Sequence, residues 1–186
     1  PFARRAAEQT TTGHIGVLGT RGTVRSECYP EALSRLQPDC RVHQQPCPLL
    51  VPLAEEGWLD GDVVDEVADH YLRKLAGPPI DTLILGCTHY PILRPALQQT
   101  ADALFEREVT LVDSASATAG TIAEVLAERG RRRTPAARAD GPAEESGDLD
   151  FLFTDVSPAF VETAERFFGD RPEQFSHVDI IDLAAD

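Results

Sequence analysis

The chain has 186 residues, 42% of them hydrophobic, enough for one ordinary domain or one and a half small ones with a real core. A net charge of −14 and a pI of about 4.7 argue against nucleic acid as a partner, because phosphate binding needs a clustered positive surface. No apolar run reaches bilayer-spanning length and no segment has the layout of a signal peptide, so the expectation is a cytoplasmic protein with no membrane partner.

Along the chain, short apolar runs alternate with longer helical patterns. His14 to Leu18 is a compact apolar run ending at Gly19 and reads as a buried parallel strand. Thr23 to Leu36 predicts a helix that Pro30 must break or bend. Arg41 to Gln45 is a weaker strand. Asp62 to Leu75 repeats its apolar residues at helical spacing and is stopped by Gly77-Pro78-Pro79. Asp81 to Leu85 is the clearest strand, apolar enough to be covered on both faces. Pro91 suits the first turn of a helix running to about Phe105. Val109 to Val112 predicts a strand and Ala115 to Arg129 a helix. Gly130 to Gly147 reads as a loop rich in Arg, Ala, Pro, Glu and Gly. Phe151 to Thr154 then predicts a strand, Ser157 to Phe168 a helix and Val178 to Leu183 a last strand. The order implies an α/β fold, a parallel sheet flanked by helices.

Four cysteines, Cys28, Cys40, Cys47 and Cys87, form no CxxC pair, so neither a metal site nor a redox motif is expected. Cys87 stands apart. It lies two residues beyond the run Leu83-Ile84-Leu85, between a strand end and the start of the next predicted helix. Ligands collect at the carboxyl ends of parallel strands, and helix N-termini favour anions, here a thiolate. Taken alone, a cysteine in such a place is more often a small buried hydrophobe. Thr88 and His89 shift the balance, since they put a hydroxyl and an acid–base group beside the thiol.

With its surroundings, Leu83-Ile84-Leu85-Gly86-Cys87-Thr88-His89-Tyr90-Pro91 resembles the second cysteine motif of glutamate racemases, in the aspartate/glutamate racemase family. Three other stretches match in order: Ile15-Gly16-Val17-Leu18-Gly19-Thr20-Arg21-Gly22-Thr23, then Cys47-Pro48 through Glu55-Glu56-Gly57, then Leu111-Val112-Asp113-Ser114. The resemblance implies cofactor-independent interconversion of L- and D-glutamate for peptidoglycan, in which two thiols work on opposite faces of the α-carbon. It implies that Cys87 is one of those thiols. Thr88 and His89 would hold or polarise substrate and thiol, and Glu55 would be an auxiliary carboxylate, with Glu56 a close rival for that role. Thr20 and Thr23 are candidates for substrate contact, although turn chemistry explains them equally well. The implied partners are glutamate and, at full length, a second copy of the chain in a homodimer.

The resemblance also implies two similar α/β domains. Residues 14–113 would be the second, and residues 114–186, interrupted by the loop 130–147, would return to complete the first. The family's Cys-Asn-Thr motif does not occur here, and no methionine is present. The expectation is therefore a C-terminal piece that lacks roughly a hundred residues, about one domain. Alternative readings are an aspartate or hydantoin racemase, or a catalytically dead interaction module.

Overall fold

Four apolar segments pair side by side in parallel: β1 (His14–Gly19), β2 (Arg41–Pro46), β3 (Thr82–Leu85) and β4 (Thr110–Asp113), in the spatial order β2-β1-β3-β4. The computed structural model describes residues 1–132, 151–155, 164, 167 and 178–180. The chain divides into two units, Pro1–Gly130 and Arg131–Asp186. In the first unit every residue of β3 is buried, because helices cover both faces of the sheet.

Side chains alternate across the strands and sort into two cores. On one face Leu18, Leu83 and Leu85 meet α4 (Leu50–Glu55), α5 (Asp62–Leu72) and α6 (Arg94–Leu104). On the other, Ile15, Val17, Ile84 and Val112 meet Ala6 of α1 (Phe2–Gln9) and Tyr29 and Leu33 of α3 (Cys28–Leu36). Helix α5 shows why its sequence folds locally. Asp62 and Asp65 lie in its first turn, where the helix dipole favours negative charge, and Val64, Ala68, Tyr71 and Leu72 fall on one buried stripe. The last helix of the unit, α7 (Ser114–Glu128), is capped by Asp113 and leaves Ile122, Val125 and Leu126 exposed.

Several expected boundaries shift. The helix predicted over 23–36 is two helices, α2 (Arg21–Arg25) and α3, and the break falls at Ser26-Glu27. Pro30 causes no break, because it sits in the first turn of α3, where a missing N–H costs nothing. Residues Arg73–Leu75 tighten into a 3-10 turn after α5. The helix expected from Pro91 starts as a 3-10 turn, Tyr90–Leu93, and becomes α-helical only at Arg94. Helices α1 and α4 were not expected; at 8 and 6 residues they are short for a helical period to stand out.

In the second unit β5 (Phe151–Phe153) and β6 (Val178–Ile180) pair in parallel, Phe151 opposite Val178. The helix expected over Ser157 to Phe168 lies, apart from residues 164 and 167, outside the described residues, as does nearly all of the loop 130–147. No helix among the described residues is long and apolar enough to cross a membrane.

The amino ends of β1 and β2 carry a stacked imidazole pair, with His14 Nδ1 3.2 Å from His43 Nε2 and ring centroids 5.3 Å apart. Burial, then the neighbouring His14 and Arg41, push His43 below its ordinary value of 6.5. The unfolded chain therefore takes up a proton near that value while the folded chain resists it. Stability contributed by neutral His43 is present above 6.5 and lost as pH falls through the lower folded value. Urea midpoints are expected to drop between pH 7.5 and 5.5, and to drop less in His43→Gln. Equal pH dependence of the two proteins would rule the pair out as the source.

Candidate active site

The strand order places the site. From β1 the chain turns one way to make β2, then crosses back to the other side of β1 to make β3. Where the direction reverses, the carboxyl ends of β1 and β3 open a crevice, the usual ligand position in such sheets. Leu18 pairs with Leu85 across it, and Gly86 N–H continues the ladder by donating to Leu18 O at 2.7 Å. A β-carbon at Gly86 would stand 2.9 Å from Leu18 O and 3.1 Å from the Tyr29 ring, so only glycine lets the chain leave the sheet here. Cys87 is the next residue, partly buried against the α4–α5–α6 core.

Tyr90 fixes the far side of the turn. Its ring is fully buried, its N–H bonds Cys87 O at 3.2 Å and its hydroxyl donates to Cys47 O at 2.9 Å. That last bond ties the Cys87 turn to the start of α4, since Leu50 N–H donates to the same carbonyl. Glu55 ends α4 and thereby reaches the turn. His89 Nε2 lies 3.2 Å from Glu55 Oε1, and His89 Nδ1 lies 3.7 Å from Cys87 Sγ. The result is a line of thiol, imidazole and carboxylate. With Nε2–H donating to Glu55, Nδ1 keeps its lone pair for the thiol proton, the logic by which a base is oriented beside a nucleophile. Glu55 is half exposed, with 53% of its side chain accessible, so solvent screens its charge and its main effect is to orient the ring. Glu56, its rival by sequence, caps the end of α4.

The expected support from a helix N-terminus does not reach the thiol. The first residue of α6 is Arg94, with a 3-10 turn between it and Cys87, and dipole effects fade within one helical turn. His89 supplies the polar partner instead. Thr88 is exposed and caps no helix, since the caps of the 3-10 turn and of α6 fall at His89 and Leu93. Thr20 and Thr23 follow β1 on the opposite lip of the crevice. Thr20 Oγ1 accepts from Thr23 N–H at 3.1 Å and lies 3.0 Å from Thr23 Oγ1, so both hydroxyls help to start α2.

The other thiols sit elsewhere. Cys47 is fully buried, its Sγ donates to Gln45 O at 3.3 Å, and burial pushes it up to about 12. Cys40 precedes β2 at the other end of the sheet, and burial raises it too. Cys28 is exposed at the first position of α3. All four are free thiols. Among the described residues no three His, Cys, Asp or Glu side chains converge on a metal position. At the carboxyl end of β4, Asp113 accepts from Ser116 N–H at 2.8 Å and from Arg94 Nη1 at 2.7 Å, which makes the Asp-Ser of the sequence a helix cap.

The profile of the Asp/Glu/hydantoin racemase family matches residues 2–122, the stretch that holds the whole sheet of the first unit. The chain belongs to that family. Among its relatives, a glutamate racemase of Geobacter metallireducens is 43% identical over 169 residues, 91% of this chain and 58% of the relative. One from Syntrophus aciditrophicus is 42% identical over 90% of this chain and 57% of its own length. The chain thus spans less than two thirds of these racemases. Among solved structures, a glutamate racemase isoform of Bacillus anthracis superposes with a TM-score of 0.77 at 34% identity, covering 100% of this chain and 64% of its own. A glutamate racemase of Francisella tularensis in complex with D-glutamate gives 0.76 at 27% identity, covering 98% and 63%. Gly86, expected from the sequence to allow close backbone approach, and Tyr90, to which the sequence alone gives no role, set the geometry of this racemase-family motif.

Proposed function

We propose that the Cys87 turn is one half of the acid–base machinery of a cofactor-independent glutamate racemase. The observation that carries this reading is the contact running from Cys87 Sγ through His89 to Glu55 at the crevice between β1 and β3. An α-proton is weakly acidic, so removing it needs a base held against it in fixed geometry. In the proposed step His89 takes the thiol proton, Glu55 holds the imidazolium, and the Cys87 thiolate removes the α-proton from one face of glutamate. Thr88, Thr20 and Thr23 are assigned to the substrate's polar groups, because their hydroxyls flank that crevice.

Inversion also needs an acid on the opposite face. We assign it to none of Cys28, Cys40 and Cys47. Two of them are raised by burial, and none lies in a Cys-Asn-Thr motif. The second thiol is assigned to such a motif outside residues 1–186. On this reading residues 14–113 are the second of two α/β domains, residues 114–186 complete the first, the whole protein is a homodimer, and D-glutamate goes to peptidoglycan. The D-glutamate complex of the Francisella neighbour supports the choice of substrate.

The test is circular dichroism of the gene product that carries these residues, with L-glutamate and no added cofactor. Loss of the L-glutamate signal, with exchange of the α-proton in deuterated water from both enantiomers, is expected. Conversion of aspartate or a hydantoin in preference to glutamate would overturn the substrate. No exchange with any of them would leave the interaction-module reading.

A further inference from the structure

The imidazoles of His14 and His43 meet at the end of the sheet opposite the Cys87 crevice. They reach each other diagonally across parallel strands. Arg41 lies beside His14 and His43 beside Gly16, so the two histidines stand on one face of the sheet, two positions apart. Gly16 puts no side chain between them, and a β-carbon there would stand 2.3 Å from Leu83 Cδ2. The facing nitrogens, His14 Nδ1 and His43 Nε2, are 3.2 Å apart, and the ring planes differ by 12°.

Two observations point to a ligand. One is the spacing. Nitrogens bound to one transition-metal ion at about 2.0–2.1 Å stand about 3.0 Å apart at a right angle and about 3.3 Å apart in a tetrahedron. The observed separation falls between these values. The other is that the rings are bound to nothing else. Among the described residues no further hydrogen bond uses either imidazole, so His14 Nε2 and His43 Nδ1 are open to carry a proton. Both side chains are partly exposed, within reach of an ion and its waters.

We propose that His14 and His43 form a two-histidine site for a borderline divalent transition-metal ion of the zinc and nickel class, held by His14 Nδ1 and His43 Nε2 with water in the remaining positions. In the ion-free pair one facing nitrogen donates its N–H to the other. On binding, that proton moves to the far nitrogen of its own ring, both lone pairs turn to the ion, and no proton leaves the protein. Among the described residues no third ligand of the His, Cys, Asp or Glu kind converges here, so the ion is exchangeable. The net charge of −14 favours a cation, and Arg41, which opposes it, is exposed and screened by solvent. The ion clips the edge strand β2 to β1. The site is remote from Cys87, and the inference does not rest on the racemase reading.

The test uses the 186-residue chain, stripped with EDTA and exchanged into chelator-free buffer at pH 7.5. Calorimetry with nickel chloride is expected to show one ion per chain. The urea midpoint is expected to rise with nickel, because a ligand of the folded form stabilises it. Magnesium, which seeks oxygen ligands, is expected to leave the midpoint where it was. His14→Gln and His43→Gln are each expected to lose both the binding and the rise. Cysteine is the competing ligand, so Cys87→Ser is titrated alongside and is expected to bind nickel as the wild type does. If a histidine variant does not fold, ring resonances of the wild type decide, and zinc is expected to shift those of His14 and His43. Binding that survives in both histidine variants, binding lost with Cys87→Ser, or zinc that leaves both rings unshifted would overturn the proposal. Uptake of nickel with no change in the urea midpoint would mean an adventitious ion only and would overturn it too.

Discussion

Cys87→Ser, introduced into the gene product that carries these residues, is expected to lower glutamate racemisation by about 10³-fold, in the range that positioned acid–base groups contribute. A free thiol ionises near 8.5, within reach of a histidine base, while a serine hydroxyl holds its proton far more tightly. His89 Nδ1, 3.7 Å from Sγ, is placed to take a thiol proton, whereas with serine the alkoxide needed as the base would be populated far too little near neutral pH. Oxygen and sulfur differ little in volume, and Cys87 is only partly buried, so fold and D-glutamate affinity should change much less than turnover. Calorimetry with D-glutamate alongside circular dichroism separates the two effects. A serine variant that keeps most of its turnover would show that Cys87 is a structural thiol and that proton transfer runs through another group.

The second large effect lies at the opposite end of β3. Asp81 is buried at the amino end of the strand, and its carboxylate gathers the link between α1 and β1. Thr10 Oγ1 donates to Oδ1 at 2.6 Å, while Thr11 N–H, Thr11 Oγ1 and Thr12 N–H donate to Oδ2 at 2.7, 2.8 and 2.8 Å. Burial by itself would raise this carboxyl, but the hydrogen bonds outweigh it and hold Asp81 well below the usual carboxylate range. In Asp81→Ala both acceptor oxygens are removed, and the backbone N–H groups of Thr11 and Thr12 lose their partner. Each buried donor left unmatched costs about 1–3 kcal/mol, so a loss of roughly 3 kcal/mol is expected. For a unit of this size that corresponds to a fall of roughly 10 °C in melting temperature. The sign with pH follows from the depressed value. The stabilisation is present above the ordinary carboxyl range and is lost as pH falls toward the folded value, so the gap between wild type and variant should close in acid. A variant that melts within about 2 °C of the wild type near neutral pH would mean that the threonine clamp contributes little.

Both predictions concern residues that flank the same strand, yet they differ in how visible they were. The run Leu83-Ile84-Leu85 announces a buried strand because a segment covered on both faces must be apolar throughout, and the Gly-Cys-Thr-His-Tyr-Pro stretch follows it directly. Asp81, one residue before the strand, reads as an ordinary strand edge. Nothing local distinguishes it, because its partners Thr10 to Thr12 lie about seventy positions away. Tyr29 carries no local signal of its own, and its nearness to Gly86 depends on how α3 crosses the sheet.

The sequence by itself determined the alternation of parallel strands with helices, the position of Cys87 just beyond a strand end, and His89 beside it. Apolar runs, helical spacing and adjacent residues are local properties, so they survive without a fold. Tertiary structure alone decided the strand order β2-β1-β3-β4, and with it the crevice between β1 and β3. It brought Glu55 within 3.2 Å of His89 by turning α4 against the Tyr90 anchor, it moved the helix start away from the thiol to Arg94, and it buried Cys47 in the core. Those outcomes depend on which face each connection takes as it crosses the sheet. That choice is made by packing two cores at once, and no short stretch of the chain carries it.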